Sequence, residues 1–326
     1  ALVAMDAVTG QILALSSFVG PGADSEDKSR LGNLAVRASF PAASIFKVVT
    51  ATAAIDRGRM TGNSIIQFTG SNHTLYRGNV LSSKSNRWTR NMKLSDAFAK
   101  SVNTVFAKLG VFHLGPQALN EYAERFGFNQ AIPADLPVDI GRVDIPDDAW
   151  GIAEVASGFT RDTTMSPVQG AMIAAAIAND GVMMEPYIVQ RVRGADEMGT
   201  QGGGLLYEAI PRQARVTFDP TSAREIRNLM VNTIDRGTSR RSFRGFNRGP
   251  ARGVEVGGKT GSLTGYEPFG KYDWFVGYAT GRGRSISIAV MTAHRKYWKV
   301  KSSYLARKFI ESYYRRVPNQ NIERES

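Results

Sequence analysis

The chain has 326 residues, 41 Lys and Arg against 29 Asp and Glu, a formal net charge of +12, and no cysteine. That length allows one large domain or two small ones with a well-buried core, and 42% hydrophobic with 21% charged residues is a globular composition rather than a disordered one. Without cysteine, a disulfide framework and thiolate metal sites are excluded, and no apolar run reaches the length of a membrane span, the most apolar stretch (171–178) reading as a buried helix.

In chain order, residues 1–8 and 11–18 are short apolar runs separated by Thr9-Gly10, which predicts a β-hairpin. Residues 19–37, rich in Gly, Asp, Ser and Lys, predict a loop. Phe46, Val49, Ala53 and Ala54 recur at helical spacing before Gly58, which predicts a helix over 44–57. Residues 66–92 are polar and irregular and read as a long surface excursion. Helices are predicted over 95–100, capped by Ser95, and over 104–109. Two more, 116–125 and 167–179, each open with proline, and a further helix spans 220–234. The end changes character: strands are predicted at 254–256, 272–280 and 285–293, the last two joined by a turn at Gly281-Arg282-Gly283. An amphipathic helix with Leu305, Phe309 and Tyr313 follows over 302–316, and a polar tail over 319–326.

Strands at both ends and helices between them predict an α+β fold. One central antiparallel β-sheet of about five strands is built from both termini, flanked by helices, with an inserted all-helical subdomain. The expected division of the single domain 1–318 is a sheet part (1–43 and 215–318) and a helical part (44–214).

Three short patterns carry chemistry. Ser44-Ile45-Phe46-Lys47 places a hydroxyl and an amine three residues apart, on one face of a helix. Ser44 then lies at a helix N-terminus, where the dipole and free backbone N–H groups favour a developing oxyanion. Serine needs a neighbouring base, and Lys47 serves only if burial and a second cation lower its pKa. The pattern also arises by accident, since Ser25-Glu26-Asp27-Lys28 fits it in an acidic loop with nothing to bury a lysine against. Ser101-Val102-Asn103 falls at a turn between helices. It can supply a proton relay and a partner for a substrate amide, but taken alone it is better read as a helix break in which Asn103 satisfies backbone groups. Lys259-Thr260-Gly261-Ser262 follows a short strand and two glycines, so a peptide can approach its backbone closely. Lys259 adds positive charge, and the Thr260 and Ser262 hydroxyls can bind a carboxylate. Residues 253–260 also fit the phosphate-loop pattern G-x-x-x-x-G-K-[ST] of NTPases. The β-favouring Val254-Glu255-Val256 inside that loop, and Gly261, Gly265, Pro268 and Gly270 after it, oppose the reading.

S-x-x-K, S-x-N and K-T-G in that order resemble the penicillin-recognising serine transferases and hydrolases, and in particular the transpeptidase domain of a penicillin-binding protein. The likeness covers most of the chain. Gly10-Gln11-Ile12-Leu13-Ala14 resembles the family's opening hairpin, and Phe40-Pro41-Ala42-Ala43-Ser44 the approach to the nucleophile, with Ala-Ala where Pro-Gly is usual. Ser166-Pro167-Val168-Gln169 and Ala178-Asn179-Asp180-Gly181 resemble a later helix, and Asp273-Trp274-Phe275-Val276-Gly277-Tyr278 the strand after K-T-G.

The resemblance implies a β-lactamase/transpeptidase-like fold and a D,D-transpeptidase that cross-links peptidoglycan stem peptides. Ser44 would attack the carbonyl of the penultimate D-alanine, with Lys47 as general base. Ser101 would relay a proton to the departing D-alanine, and Asn103 would hold the donor amide. Lys259 would tune Lys47 and Ser101. Thr260, Gly261 and Ser262 would line the site of the terminal carboxylate, and the backbone N–H groups of Ser44 and Ser262 would form the oxyanion hole. No cofactor and no metal is implied, and the scattered His73, His113 and His294 argue against a Ser-His triad.

Two departures stand out: Ser262 where threonine is usual, and Glu154-Val155-Ala156-Ser157-Gly158 without the glutamine often found before that glycine. A D-Ala-D-Ala carboxypeptidase or a β-lactamase shares the acyl-enzyme. None of Glu121, Glu124, Asp147, Asp148 and Glu154 lies in the E-x-x-L-N context of class A β-lactamases, so slow deacylation is expected. A non-catalytic antibiotic sensor is a further alternative. Expected partners are stem-peptide donors, amine acceptors, β-lactams and cell-wall synthesis proteins. An anchor or targeting segment is expected upstream of Ala1, which would place the domain outside the cytoplasmic membrane. The basic residues Arg236, Arg240, Arg241, Arg244, Arg248 and Arg252, with Arg295, Lys296, Lys299 and Lys301 around Tyr297 and Trp298, read as a solvated surface rather than a nucleic-acid site, because no nucleic-acid fold motif accompanies them.

Overall fold

The computed structural model describes residues 1–20, 32–194, 203–266, 269–294 and 299–318. The Ser25–Lys28 pattern, Pro268, residues 295–298 and the 319–326 tail lie outside the described residues. The centre is a five-stranded antiparallel sheet of β1 (Leu2–Asp6), β2 (Ile12–Ser16), β3 (Glu255–Tyr266), β4 (Phe269–Gly281) and β5 (Arg284–His294). The strand order is β3-β4-β5-β1-β2, so the two ends of the chain build one sheet as predicted, and β3 forms an edge.

Side-chain alternation divides the sheet into two packed faces. Tyr272, Trp274, Val276 and Tyr278 of β4, with Ala289 and Met291 of β5, join the large core shared with the helices. Phe275, Ala279, Ile286, Ile288 and Val290 face a second core with Ala306, Ile310 and Tyr314 of the C-terminal helix Ser302–Arg315. The helix Pro167–Ala178 covers the first face and is buried almost throughout. A Cβ on its Gly170 would meet Val276 Cγ2 at 3.1 Å and Ala289 Cβ at 3.2 Å, so this glycine sets how closely helix and sheet approach. The β4–β5 turn has positive φ at both Arg282 (+53°) and Gly283 (+67°), the conformation of a tight hairpin whose twist matches the strands.

In chain order the longer helices are α1 (Lys47–Asp56), α2 (Leu94–Ala99), α3 (Asn103–Leu109), α4 (Gly115–Arg125), α5 (Ala149–Ser157), α6 (Pro167–Ala178), α7 (Pro220–Asp235) and α8 (Ser302–Arg315), with several shorter elements between them. Five expectations need correction. Ser95 does not cap α2: it lies inside that helix, which follows Lys93 with no side-chain cap. Residues 66–92 are not irregular: Ile65–Phe68 pairs antiparallel with Arg90–Lys93, and Arg77–Val80 is a short helix. The α5 helix was not anticipated. Asp148 caps it by accepting from the backbone N–H groups of Trp150 (3.0 Å) and Gly151 (3.1 Å), and Gly158 ends it at φ +64°. The helix expected over 44–57 opens with a 3₁₀ turn, Ala43–Phe46, before α1 begins at Lys47.

The strand expected to stop at Val256 continues to Tyr266. Its glycines are not turns but clearances. A Cβ on Gly257 would lie 2.5 Å from the Tyr278 ring, on Gly258 2.4 Å from the Phe275 ring, and on Gly265 1.9 Å from the Tyr272 ring. Aromatic rings of β4 thus fill the space that side chains on β3 would have used. Lys259 pairs with Val276 inside this ladder, so no helix follows it and the phosphate-loop reading of 253–260 is overturned.

Candidate active site

The cleft forms where the 3₁₀ turn, the α2–α3 junction, the end of α5 and the edge strand β3 converge. Ser44 and Lys47 lie one turn apart, with Lys47 Nζ 2.8 Å from Ser44 Oγ. Lys47 is fully buried and also donates to Asn103 Oδ1 (2.7 Å) and to the Ser157 carbonyl (2.5 Å). The Phe106 ring lies 5.6 Å from the amine. Burial, and secondarily the Lys259 charge, hold the Lys47 pKa well below its ordinary value.

The partner chemistry specifies which hydrogens go where. The Asn103 and Ser157 oxygens can only accept, so when the amine is neutral they take both of its N–H groups. The lone pair is left for Ser44, whose hydroxyl hydrogen it can receive. Asn103 cannot reverse this arrangement, because its Nδ2 donates to the His73 carbonyl at 2.7 Å and so turns its Oδ1 toward the lysine.

Ser101 sits between α2 and α3 at φ +55°, a left-handed position that costs a residue with a Cβ about 1–2 kcal/mol. Its Oγ accepts from Lys259 Nζ at 2.9 Å, and the same amine donates to the Thr260 carbonyl at 2.9 Å. Lys259 is fully buried, and burial lowers its pKa from the ordinary 10.5 to about 7. The Phe98 ring is 5.6 Å away. Gly261 brings β3 against the nucleophile turn: a Cβ there would sit 3.1 Å from Ile45 Cγ1 and 3.2 Å from the Ala42 carbonyl oxygen. Trp274 fixes the approach by donating Nε1–H to the Pro41 carbonyl at 2.9 Å.

The predicted site residues Ser44, Lys47, Ser101, Asn103, Lys259, Thr260, Gly261 and Ser262 therefore lie around one cleft. Other participants carried no separable signal. The Ser157 carbonyl acts through its backbone, as does His73, and neither role is written in a side chain. Thr238, in the turn after α7, has its Oγ1 2.6 Å from that of Thr260. Asp273 lies across the ladder from Ser262 and accepts its hydroxyl hydrogen at 3.2 Å. The six arginines between 236 and 252 are exposed, and Arg236 lies 3.6 Å from Asp96.

A family model described as penicillin binding protein transpeptidase domain matches residues 1–311. The peptidoglycan D,D-transpeptidase PbpA of Mycolicibacterium smegmatis is 27% identical over 320 residues, an alignment spanning 89% of this chain and 61% of that protein. Stage V sporulation protein D of Bacillus subtilis is 25% identical over 309 residues, 90% of this chain and 45% of its own length. Among solved structures, an imipenem acyl-enzyme complex of penicillin-binding protein A from M. tuberculosis superposes with a TM-score of 0.74 at 25% identity, covering 96% of this chain and 72% of the other.

Proposed function

This chain belongs to the penicillin-binding protein transpeptidase family, and from that premise we propose that it is the catalytic domain of a serine D,D-transpeptidase. It takes a D-Ala-D-Ala stem peptide as donor, forms an acyl-enzyme at Ser44, releases the terminal D-alanine and passes the acyl group to an amine of a second stem peptide. β-Lactams acylate the same serine. The supporting observation is the hydrogen-bond arrangement at Lys47: a buried amine with two obligate acceptors, Asn103 Oδ1 and the Ser157 carbonyl, and Ser44 Oγ at 2.8 Å.

In the first step Ser44 Oγ attacks the penultimate D-alanine carbonyl while its proton passes to Lys47 Nζ. The oxyanion is met by the backbone N–H groups of Ser44 and Ser262, a pair of donors each worth about 10²–10³ in rate. Ser101, bonded to Lys259, relays a proton to the departing amine. Asn103 orients Lys47 and holds the donor amide, and Lys259 draws the terminal carboxylate toward Thr260, Gly261 and Ser262. The chain spans 61% of the Mycolicibacterium relative. Its place outside the cytoplasmic membrane, an anchor upstream, and cell-wall synthesis partners belong to the same proposal. No helix among the described residues is long and apolar enough to cross a membrane.

Mass spectrometry of the penicillin-treated protein tests both halves. A single stable adduct on the peptide containing Ser44, lost in Ser44→Ala while the fold persists, is expected. An adduct elsewhere rejects the nucleophile, and turnover of penicillin many times per second rejects transpeptidase in favour of β-lactamase.

A further inference from the structure

The two hydroxyls of the carboxylate subsite, Thr260 and Ser262, have partners of different chemical kinds. Thr260 Oγ1 faces Thr238 Oγ1 at 2.6 Å. Either hydroxyl of that pair can be the donor, because each carries one hydrogen and two lone pairs. Thr238 can therefore supply a hydrogen to Thr260, which leaves the Thr260 hydrogen to point into the cleft. Ser262 Oγ faces Asp273 Oδ1 at 3.2 Å, and a carboxylate only accepts. The single Ser262 hydrogen is directed away from the cleft, toward the buried carboxylate.

Asp273 is held where it is by more than Ser262. Its side chain is 5% exposed. Its Oδ2 accepts the Ser302 backbone N–H at 2.7 Å, and its Oδ1 lies 3.3 Å from Lys301 Nζ. Its own carbonyl accepts the Ser302 hydroxyl at 2.5 Å. The carboxylate is thus pinned between β4 and the start of α8, and it cannot swing away when a substrate arrives.

We propose that Asp273 is a specificity-determining residue of this cleft: by taking the Ser262 hydroxyl hydrogen it hands recognition of the substrate's terminal carboxylate to the Thr260–Thr238 pair. Ser262 contributes its backbone N–H, and its oxygen presents lone pairs to the cleft. A carboxylate ligand gains a hydrogen bond at Thr260 and finds no donor on the Ser262 side chain. The inference rests on the acyl-transfer reading of this cleft and refines which group holds the donor's carboxylate.

The test compares acylation of Ser44 by benzylpenicillin with acylation by its methyl ester, because the ratio of the two rates isolates carboxylate recognition from general damage to the site. Thr260→Val is expected to lower the acid-to-ester ratio about tenfold more than Ser262→Ala, the equivalent of one hydrogen bond to a charged group. In Asp273→Asn the side-chain amide can donate to Ser262, which frees the serine hydrogen for the ligand, and the ratio is expected to rise about threefold. Introduced into Ser262→Ala, the same Asp273→Asn change is expected to lose this rise. A larger loss at Ser262 than at Thr260 overturns the inference, and that comparison stands even if Asp273→Asn does not fold. So does a folded Asp273→Asn whose ratio falls or stays level. Absence of any Ser44 adduct with either compound overturns instead the acyl-transfer reading itself.

Discussion

At the scale of single residues the cleft is costly to build. Two lysines are fully buried near each other, and neither has a carboxylate among its hydrogen-bond partners. Burial disfavours the charged form of each, and their mutual repulsion lowers Lys47 further. In the proposed reaction that cost is what makes Lys47 a usable base. It also has a consequence for stability. Lys259 titrates at about 7 in the folded protein against 10.5 in the ordinary side chain. Between those values the unfolded chain binds more protons, so stability rises with pH across that window and is flat in this respect below it. Chemical denaturation at pH 7 and pH 9.5 is expected to show a larger gain for the wild type than for Lys259→Met, which lacks this titration. Equal gains in the two proteins would contradict the depressed pKa.

At the scale of elements, the site depends on how helices and turns end. The α5 helix stops at Gly158, and the carbonyl of the preceding Ser157 receives the Lys47 hydrogen bond. A Cβ on Gly158 would lie 2.1 Å from the Ala43 carbonyl oxygen, at a position whose φ of +64° already disfavours a side chain. Ala43 is itself left-handed, at φ +49°, so backbone strain is held immediately before Ser44. Gly158→Ala is expected to destabilise by about 2–4 kcal/mol, since backbone must move to relieve the overlap. It should slow acylation as well, because the displaced segment carries the Lys47 acceptor. Thermal unfolding together with the acylation rate checks both, and a variant of wild-type stability and rate would show that the turn is more pliable than its geometry implies.

At the scale of the whole molecule, the sheet joins chain segments more than 250 residues apart: Leu2 pairs with Val290. The C-terminal helix is fastened to it by Arg282, whose guanidinium donates to the carbonyls of Tyr314 (2.8 Å), Val317 (3.2 Å), Pro250 (2.8 Å) and Arg252 (2.9 Å). This clamp sits at the β4–β5 turn and makes no hydrogen bond to the catalytic groups. Arg282→Ala leaves those carbonyls short of a charged donor and is expected to cost about 3 kcal/mol. Acylation of the folded variant by penicillin should keep the wild-type rate, so a loss of rate without loss of stability would place Arg282 in the chemistry.

The amino-acid sequence alone determined the α+β class, the origin of the sheet at both termini and most helices, and it offered as candidates the residues that the fold gathers around Ser44. The elements have local causes, hydrophobic period and N-terminal prolines at Pro116, Pro167 and Pro220, whereas Ser44, Lys47 and Lys259 stand out through the order of motifs that resembles the penicillin-recognising enzymes. The extent of β3 was not legible, because its glycines match the rings of Tyr272, Phe275 and Tyr278 on a neighbouring strand that only pairing brings opposite. The α5 helix, Ala149–Ser157, is bounded by its Asp148 cap and its Gly158 stop, with nine residues between them. Tertiary structure alone decided the surroundings of Lys47: its burial, the nearby Lys259, and acceptors at Asn103, itself held by the His73 carbonyl, and at the Ser157 carbonyl. It alone placed Asp273 behind Ser262 and Thr238 beside Thr260. Hydrogen bonds and burial act over a few ångströms in space, and no spacing along the chain records which distant groups will share that volume.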